Sequence, residues 1–410
     1  MKKLLKKRMN IGIITVCLLL VGILFYLPVY QFIVLDTDGK QLTGTAAIAM
    51  NREFVNTCAG RLTDEKICAD IAAYQALFHD PENVSKDTTK KTLTDRAYFK
   101  YILPYSDYWK LINGNYIDPC AYDSSFSAVI NMDLENGIDF YSARDKKIST
   151  LLNQVYEDWN FSDSEKAFWL DRISSVTIPY EYGYHTGWEM LFSCLELFAI
   201  GMIGICICVS GTFSGEYQSG ADSIILSSRY GKSKLLTAKI LAAFAYSFFL
   251  FTLFLLVGCG ILLAGFGMDG WELPVQVLNT ISPYDLSLAG AAVTAVGTLY
   301  LILAGMVSFT LLLSAKMRSA VSVLVIIVLA FMLPMFIGIS ETNGIWNRIF
   351  VLLPYRAAQT VFSDDFYGYF GYPIGGLTFD VVTVRMLLYA AVTLIYVPFA
   401  RKAWKGHQVV

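Results

Sequence analysis

The sequence predicts an all-α polytopic membrane protein, with six transmembrane helices and a mostly helical extracytoplasmic domain inserted between the first and second helices. Three observations predict this fold class. The 410 residues are 55% hydrophobic and only 16% charged, whereas soluble domains carry about 25% charged residues. Several uncharged apolar runs reach the roughly 20 residues that a helix needs to cross a bilayer. The charges lie in short loops between these runs and in one long polar stretch.

The N-terminal region, residues 1–35, is predicted to be a basic cytoplasmic segment followed by the first transmembrane helix. An apolar run starts at Ile11 and is broken only by Gln31. Five cationic residues precede it, namely Lys2, Lys3, Lys6, Lys7 and Arg8. The run is too long for a cleaved signal peptide, and no small-residue cleavage pattern closes it. We therefore predict an uncleaved membrane anchor.

The polar segment, residues 36–187, is predicted to be an extracytoplasmic domain. It contains 23 Asp/Glu against 15 Lys/Arg, and about 150 residues can bury a core. Apolar spacing and N-cap signals predict four helices, at residues 62–78, 93–112 (interrupted by Pro104), 147–159 and 164–173. Ser162 and Glu165 have the spacing of a capping box before the fourth helix. The three cysteines of this segment allow at most one disulfide, which could join Cys58 and Cys68.

The rest of the chain, residues 188–410, is predicted to form a five-helix transmembrane region. Apolar runs alternate there with short charged loops. The five predicted helices span residues 188–209, 240–266, 286–314, 320–339 and 379–399. With the anchor they make six spans, so both termini are predicted to lie on the same side of the lipid bilayer.

The distribution of Lys and Arg orients these spans. The N-terminus, the loops after the second and fourth helices and the C-terminus together carry 14 cationic residues. The loop after the third helix carries Asp269, Glu272 and Asp285 and no Lys or Arg. Short loops rich in Lys and Arg stay in the cytoplasm. Both termini are therefore predicted to be cytoplasmic, and the net charge of −2 indicates no affinity for nucleic acid.

The loop after the second helix, within residues 215–244, is the most informative stretch. Ile224, Ile225 and Leu226 form an apolar triplet that is predicted to be exposed on the cytoplasmic side, and basic residues follow it. A short amphipathic helix with an exposed apolar group at the membrane surface is suited to docking a soluble partner. The alternative is a loop that only packs against its own helix bundle.

This stretch resembles the coupling region of type-two ABC exporter permeases. The matching residues are Glu216, Gly220, Ile224, Ile225, Leu226, Ser228, Arg229, Leu235, Leu236 and Lys239. The layout is similar to the subgroup of that family with a large extracytoplasmic domain after the first helix. The tripeptide Leu352-Leu353-Pro354 resembles the re-entrant hairpin that the family places between its last two helices. The resemblance implies a cytoplasmic coupling segment at residues 213–239 and an outer hairpin at residues 340–378.

The resemblance further implies the membrane subunit of an ATP-binding-cassette exporter in a bacterial cell membrane, moving a peptide, drug or lipid-like substrate outward. The implied partners are a separate ATPase subunit, which would hold the ATP and Mg, and a second permease copy in a homodimer or heterodimer. The residues implied to couple this chain to the ATPase are Glu216, Gly220, Ile224, Ile225, Leu226 and Arg229. The alternative is a non-transporting envelope sensor or immunity protein whose outer domain binds a ligand or a partner.

The sequence contains no recognisable catalytic motif. Gly231-Lys232-Ser233 resembles the end of a phosphate-binding loop, but position 226 is Leu where that motif requires Gly. The three histidines lie in separate polar regions, and no metalloprotease, nucleophile-elbow or CxxC motif occurs. We therefore predict that the chain is not an enzyme and binds no cofactor or metal of its own.

Two ionisable residues inside predicted spans are candidates for a substrate path. Glu196 lies in the second helix and Arg385 near the outer end of the sixth. Charges in lipid are costly and mark functional sites or structural pairs. Glu196 could line a cavity that meets a cationic or polar substrate. The structural alternative is that the two side chains form a pair between the helices or extend to the membrane–water interface. Both readings stay open at this point.

Overall fold

A computed structural model describes residues 2–85, 92–119, 125–154, 160–336, 344–359 and 368–407. Helices dominate these residues. Five of the helical segments are long and apolar enough to cross a membrane. The prediction of an all-α, multi-pass membrane protein is therefore confirmed.

The N-terminal region forms two helices and a β-hairpin. Helix α1 spans Lys2–Lys6, α2 spans Arg8–Gln31, and strands β1 (Ile33–Leu35) and β2 (Gln41–Thr43) pair in antiparallel fashion. Most of α2 is exposed within the isolated chain, as expected of a helix that contacts lipid. The predicted apolar run thus ends in a strand rather than continuing as helix to residue 35.

The polar segment folds into short helices. In the described residues these are α3 (Gly44–Thr57), α4 (Asp64–Ala76), α5 (Asp95–Tyr101), α6 (Ser106–Gly114), α7 (Ser127–Ile130), α8 (Phe140–Asn153) and α9 (Asp163–Ser174). The two-residue strands β3 (Gly60–Arg61) and β4 (Glu181–Tyr182) pair and bring the two ends of the segment together. Tyr74, Ile112, Phe140 and Trp169 are among its buried core residues.

Local signals account for most of these helices. The capping box forms, with the Glu165 amide donating to Ser162 Oγ and the Ser162 amide donating to Glu165 Oε2 at 3.0 Å. Pro104 lies in a 3-10 turn that separates α5 from α6, because proline interrupts a helix. Helix α8 begins earlier than predicted, capped by Asp139, and residues 155–159 lie outside the described residues. Helix α3 escaped prediction because its N-cap makes no side-chain hydrogen bond and its first turn has no acidic residue.

The remaining residues form the helix bundle. Its helices are α10 (Thr186–Cys194), α11 (Phe198–Gln218), α12 (Ala221–Ser227), α13 (Lys234–Phe266), α14 (Leu288–Lys316), α15 (Ala320–Met332), α16 (Ile345–Phe350), α17 (Pro354–Gln359) and α18 (Val381–Lys405). Strands β5 (Gly371–Ile374) and β6 (Leu377–Asp380) form a hairpin before α18. The long apolar segments are α2, α10 with α11, α13, α14 and α18.

The predicted fifth transmembrane helix is shorter than the others. It consists of α15 and a 3-10 turn at Leu333–Phe336. At 1.5 and 2.0 Å per residue these cover about 28 Å, slightly less than the roughly 30 Å of a hydrocarbon core. Residues 337–343, where the prediction places its end, lie outside the described residues. The count of six spans therefore stays a prediction.

Small residues bring α14 close to its neighbours. A Cβ on Gly305 would lie 2.6 Å from Cδ1 of Tyr389 in α18, so only glycine permits this approach. Ser314 Oγ donates to the Ser210 carbonyl of α11 at 2.6 Å and accepts the Ser214 amide at 3.0 Å. Helix α14 therefore lies at the centre of the bundle, between α11 and α18.

The polar segment is attached to the bundle through buried polar contacts. Arg172 of α9 pairs with Asp380 at the start of α18 at 2.8 Å, and Glu165 of α9 pairs with Arg348 of α16 at 2.8 Å. The Tyr180 hydroxyl donates to the Thr280 carbonyl in the loop between α13 and α14 at 3.1 Å. Cys58 and Cys68 are separate free thiols, so the disulfide considered from the sequence is not formed.

Replacing Asp380 with Asn is expected to destabilise this attachment in a pH-dependent way. Burial by itself would raise the pKa of Asp380, but hydrogen bonds from Arg172 and Thr383 outweigh it and hold the pKa below its usual 3.8. A carboxylate with a lowered folded-state pKa stabilises the protein above its unfolded-state pKa and loses that contribution as the pH falls through the folded-state value. Asn still caps a helix, so the substitution mainly removes the charged contact, worth about 2 kcal/mol near neutral pH.

Thermal unfolding of wild type and D380N in detergent, measured across a pH series, tests this expectation. The difference in melting temperature should be largest near neutral pH and shrink below about pH 4. Asp171→Asn, at an exposed neighbouring position, is the control and should change little. A difference that stays constant over the whole series would show that the Asp380 charge does not contribute.

Candidate functional site

A buried ion pair connects α11 to α13. Glu216 lies in the last turn of α11 and Lys239 in the second turn of α13. Lys239 Nζ lies 2.8 Å from Glu216 Oε1, and the two side chains are only 17% and 10% exposed. The same ammonium group lies 5.2 Å from the centre of the Trp404 ring. The pair therefore holds the first turns of α13 close to the last turn of α11.

Helix α12 lies between these two helices. It follows Gly220, whose φ of +67° allows the sharp turn out of α11. Ile224 is 74% exposed, Ile225 is half-buried and Leu226 is 9% exposed. The prediction that the whole triplet is exposed is wrong, because successive residues of a helix point about 100° apart. Of the three, only Ile224 presents a largely exposed apolar side chain, while Leu226 packs into the bundle.

The end of α18 packs against this region. Trp404 is fully buried, donates Nε1–H to the Gly231 carbonyl at 3.4 Å, and stacks on Tyr217 with ring centres 5.4 Å apart. His407 stacks on the same Tyr217 ring, with ring centres 4.1 Å apart, and its Nε2 lies 3.2 Å from Asp222 Oδ2 of α12. The last turn of α18 thus contacts α11 and the loop before α13, and His407, which follows α18, contacts α12.

The loop after α12 is compact and basic. A Cβ on Gly231 would lie 1.7 Å from the Ile225 carbonyl oxygen, so the loop can fold back only with glycine there. Arg229, Lys232 and Lys234 are exposed. The loop therefore offers cationic groups close in sequence to Ile224. Helix α12, and not a strand, precedes Gly231, unlike a phosphate-binding loop.

Residues Glu196 and Arg385 lie in different surroundings. A 3-10 turn at Leu195–Leu197 interrupts the predicted second transmembrane helix, and Glu196 is half-exposed in it. Arg385 is fully buried in α18 and donates Nη2–H to the Val351 carbonyl at 3.3 Å. The substrate-path reading and the structural reading of these two residues both stay predictions.

Sequence reasoning missed the contribution of α18 to this site. His407 and Asp222 are 185 residues apart, and Trp404 and Gly231 are 173 apart. The one available signal was that Trp404 and His407 lie in the basic C-terminal stretch. Helical periodicity does not distinguish these two residues from their neighbours. The result is a partly exposed helix, α12, that contacts α11 and, through Asp222, His407 after α18. No group of three or more potential metal-binding side chains occurs in the described ranges.

Comparison with known families gives one match. A family model described as "ABC-2 family transporter protein" matches residues 1–404. The match covers the polar segment as well as the helix bundle. Comparisons with curated proteins and with solved structures gave no match.

Proposed function

Because the chain belongs to the ABC-2 transporter family, we propose that it is the permease subunit of an exporter that moves a peptide, drug or lipid-like substrate outward across a bacterial cell membrane. Membership of the family implies an ABC ATPase as partner. In this proposal the partner binds ATP and Mg and performs the hydrolysis, and this chain has no enzymatic activity. A second permease copy, identical or homologous, completes the substrate path.

The exposure of Ile224 is the observation that best supports coupling through α12. A large apolar side chain that is 74% exposed at the end of a bundle gains about 1.5–3 kcal/mol when a partner buries it. Its neighbour Leu226 is buried against the bundle, so a displacement of α12 is passed to the long helices. In this proposal Ile224 and Arg229 contact the ATPase, while Glu216, Gly220, Ile225 and Leu226 position α12.

The proposed substrate path includes Glu196 and Arg385. The 3-10 turn that carries Glu196 contacts α17, and a 3-10 turn within a helix often marks a hinge or a functional site. Glu196 has a half-exposed carboxylate that is available to a cationic or polar substrate. Substrate contact by either residue stays a prediction.

Replacing Ile224 with Glu is expected to weaken binding of the ATPase by roughly 10- to 100-fold. This range corresponds to the loss of about 1.5–3 kcal/mol of apolar burial. Co-purification of the affinity-tagged permease with its ATPase, followed by quantitative binding in detergent, measures the effect. Gln218→Glu adds the same charge at an exposed position at the end of α11, and Ile224→Leu keeps an apolar side chain. Both controls should bind like the wild type.

Two outcomes would contradict this proposal in different ways. Equal loss of binding in Ile224→Glu and Gln218→Glu would assign the effect to charge and not to an apolar contact at α12. A wild-type chain that binds no ABC ATPase at all would favour the alternative, an envelope sensor or immunity protein.

A further inference from the structure

A pocket of about 310 Å³ lies in the polar segment between the end of α3 and helices α4, α5 and α6. Five aromatic residues line it, namely Tyr74, Tyr101, Tyr105, Tyr108 and Trp109. Pockets that bind small molecules begin at about 300 Å³, so this one has room for a single ring with a compact substituent. It lies outside the helices that the proposed function uses.

The rings are held in place by one another. Tyr74 and Trp109 are buried and stacked with their ring centres 4.6 Å apart, and Tyr108 meets Trp109 edge-on at 5.3 Å. Tyr101 and Tyr105 are half-exposed and form the open side. A ligand would therefore meet a preformed aromatic surface, which lowers the entropic cost of binding.

The lining of the pocket carries little uncompensated charge. Asp70 is the one charged residue among the described lining residues, and it accepts hydrogen bonds from Lys66 Nζ at 2.7 Å and from the Tyr108 hydroxyl at 2.5 Å. Burial raises the pKa of the Cys58 thiol to about 11, so this lining residue remains neutral. Because Lys66 already offsets the Asp70 charge, the attraction for a ligand comes mainly from the ring faces.

Ammonium groups of the chain itself already lie over these rings. Lys66 Nζ lies 5.2 Å from the centre of the Tyr108 ring, and Lys100 Nζ lies 4.9 Å from that of Tyr101. Aromatic faces attract cations through their quadrupole, and groups of such rings bind quaternary ammonium ligands. The excess of acidic over basic residues in the polar segment, 23 against 15, also attracts cations over longer distances.

We propose that this pocket binds a hydrophobic organic cation, such as a quaternary ammonium group attached to an aromatic body. A neutral apolar molecule of the same shape gains only the burial of its surface. The inference goes beyond the proposed function, because binding at this pocket requires neither an ATPase nor transport.

Binding of radiolabelled benzyltrimethylammonium to the full chain in lipid nanodiscs tests the proposal. We expect saturable binding without any ATPase, displaced by excess unlabelled cation and not by its neutral carbon isostere. Tyr105→Leu should weaken binding about 5- to 30-fold, the range for a cation–aromatic contact, whereas Tyr105→Phe, which keeps the ring, should bind like the wild type.

A second variant keeps the test valid if Tyr105→Leu disturbs folding. Ala73 lines the pocket and is exposed, so Ala73→Phe should fill the space and abolish binding while the protein remains folded. The proposal is overturned by an absence of saturable binding at millimolar concentrations, by equal displacement with the neutral isostere, or by unchanged binding in Ala73→Phe. None of these outcomes affects the ATPase-binding test at Ile224.

Discussion

Replacing Lys239 with Met is expected to lower the free energy of unfolding by about 3 kcal/mol, because it removes the ammonium group that contacts the buried Glu216 carboxylate. The Nζ–Oε1 distance is 2.8 Å, and both side chains are largely removed from solvent. Loss of one member of such a pair costs more than the pair itself contributes, since the remaining charge stays desolvated. The lysine is the more exposed partner, so the expected cost is near the lower end of the range for buried pairs.

A double-mutant cycle measures this interaction. Glu216→Gln should also destabilise the protein, and the double variant E216Q/K239M should recover most of the lost stability because both charges of the pair are removed together. Lys234→Met removes an exposed cation from the first turn of the same helix and is the matched control. Chemical unfolding in detergent gives the free energies. Equal effects of K239M and K234M, or additive effects in the double variant, would contradict the assignment.

Trp404→Ala is expected to lower the free energy of unfolding by about 3–4 kcal/mol, as is usual for truncating a fully buried tryptophan. The indole ring lies between Phe213 and Tyr217, with ring centres 5.0 and 5.4 Å away, and donates to the Gly231 carbonyl. Its removal leaves a cavity between α18 and α11 and releases the loop after α12. The same change should therefore also make the neighbourhood of α12 more accessible.

Two measurements separate these effects. Thermal unfolding reports the loss of stability, and limited proteolysis within residues 220–233 reports release of the loop. Trp404→Phe keeps an aromatic ring and should lose only about 1 kcal/mol with the hydrogen bond. Trp346→Ala, at a tryptophan that is 66% exposed, should change neither measurement. If the loop remained protected from proteolysis in Trp404→Ala, the contact of Trp404 with the Gly231 carbonyl would not determine the position of the loop.

Features that depend on neighbouring residues were predictable. The lengths of the apolar runs and the capping box at Ser162 and Glu165 follow from local composition and spacing. Pro104 interrupts the helix predicted at residues 93–112, as proline often does. Helix α12 lies within the stretch that resembles the coupling region. A sequence pattern also placed an apolar triplet at residues 224–226, but it could not say which member is exposed.

Features that depend on distant contacts were not predictable. The interruption at Glu196, the close approach at Gly305 and the α18 contacts of Trp404 depend on which helices become neighbours. Arg172 and Asp380 form an ion pair although they are 208 residues apart. Such a pairing leaves no periodic signal in either segment of the sequence. The aromatic pocket is of the same kind, because its five rings come from four separate elements.

By itself the sequence determined that this protein crosses a membrane several times, that a large polar segment lies between the first two spans, and that the stretch around Glu216 to Lys239 resembles a coupling region. Those conclusions rest on apolar length, charge and local spacing, which each segment carries independently of the rest. Only the tertiary structure decided that Ile224 is the exposed residue of its triplet, that Arg385 is fully buried, and that the end of α18 packs against α11 and the loop after α12. The physical reason is that burial and pairing depend on the helices that pack against a residue, and a single segment does not contain that information.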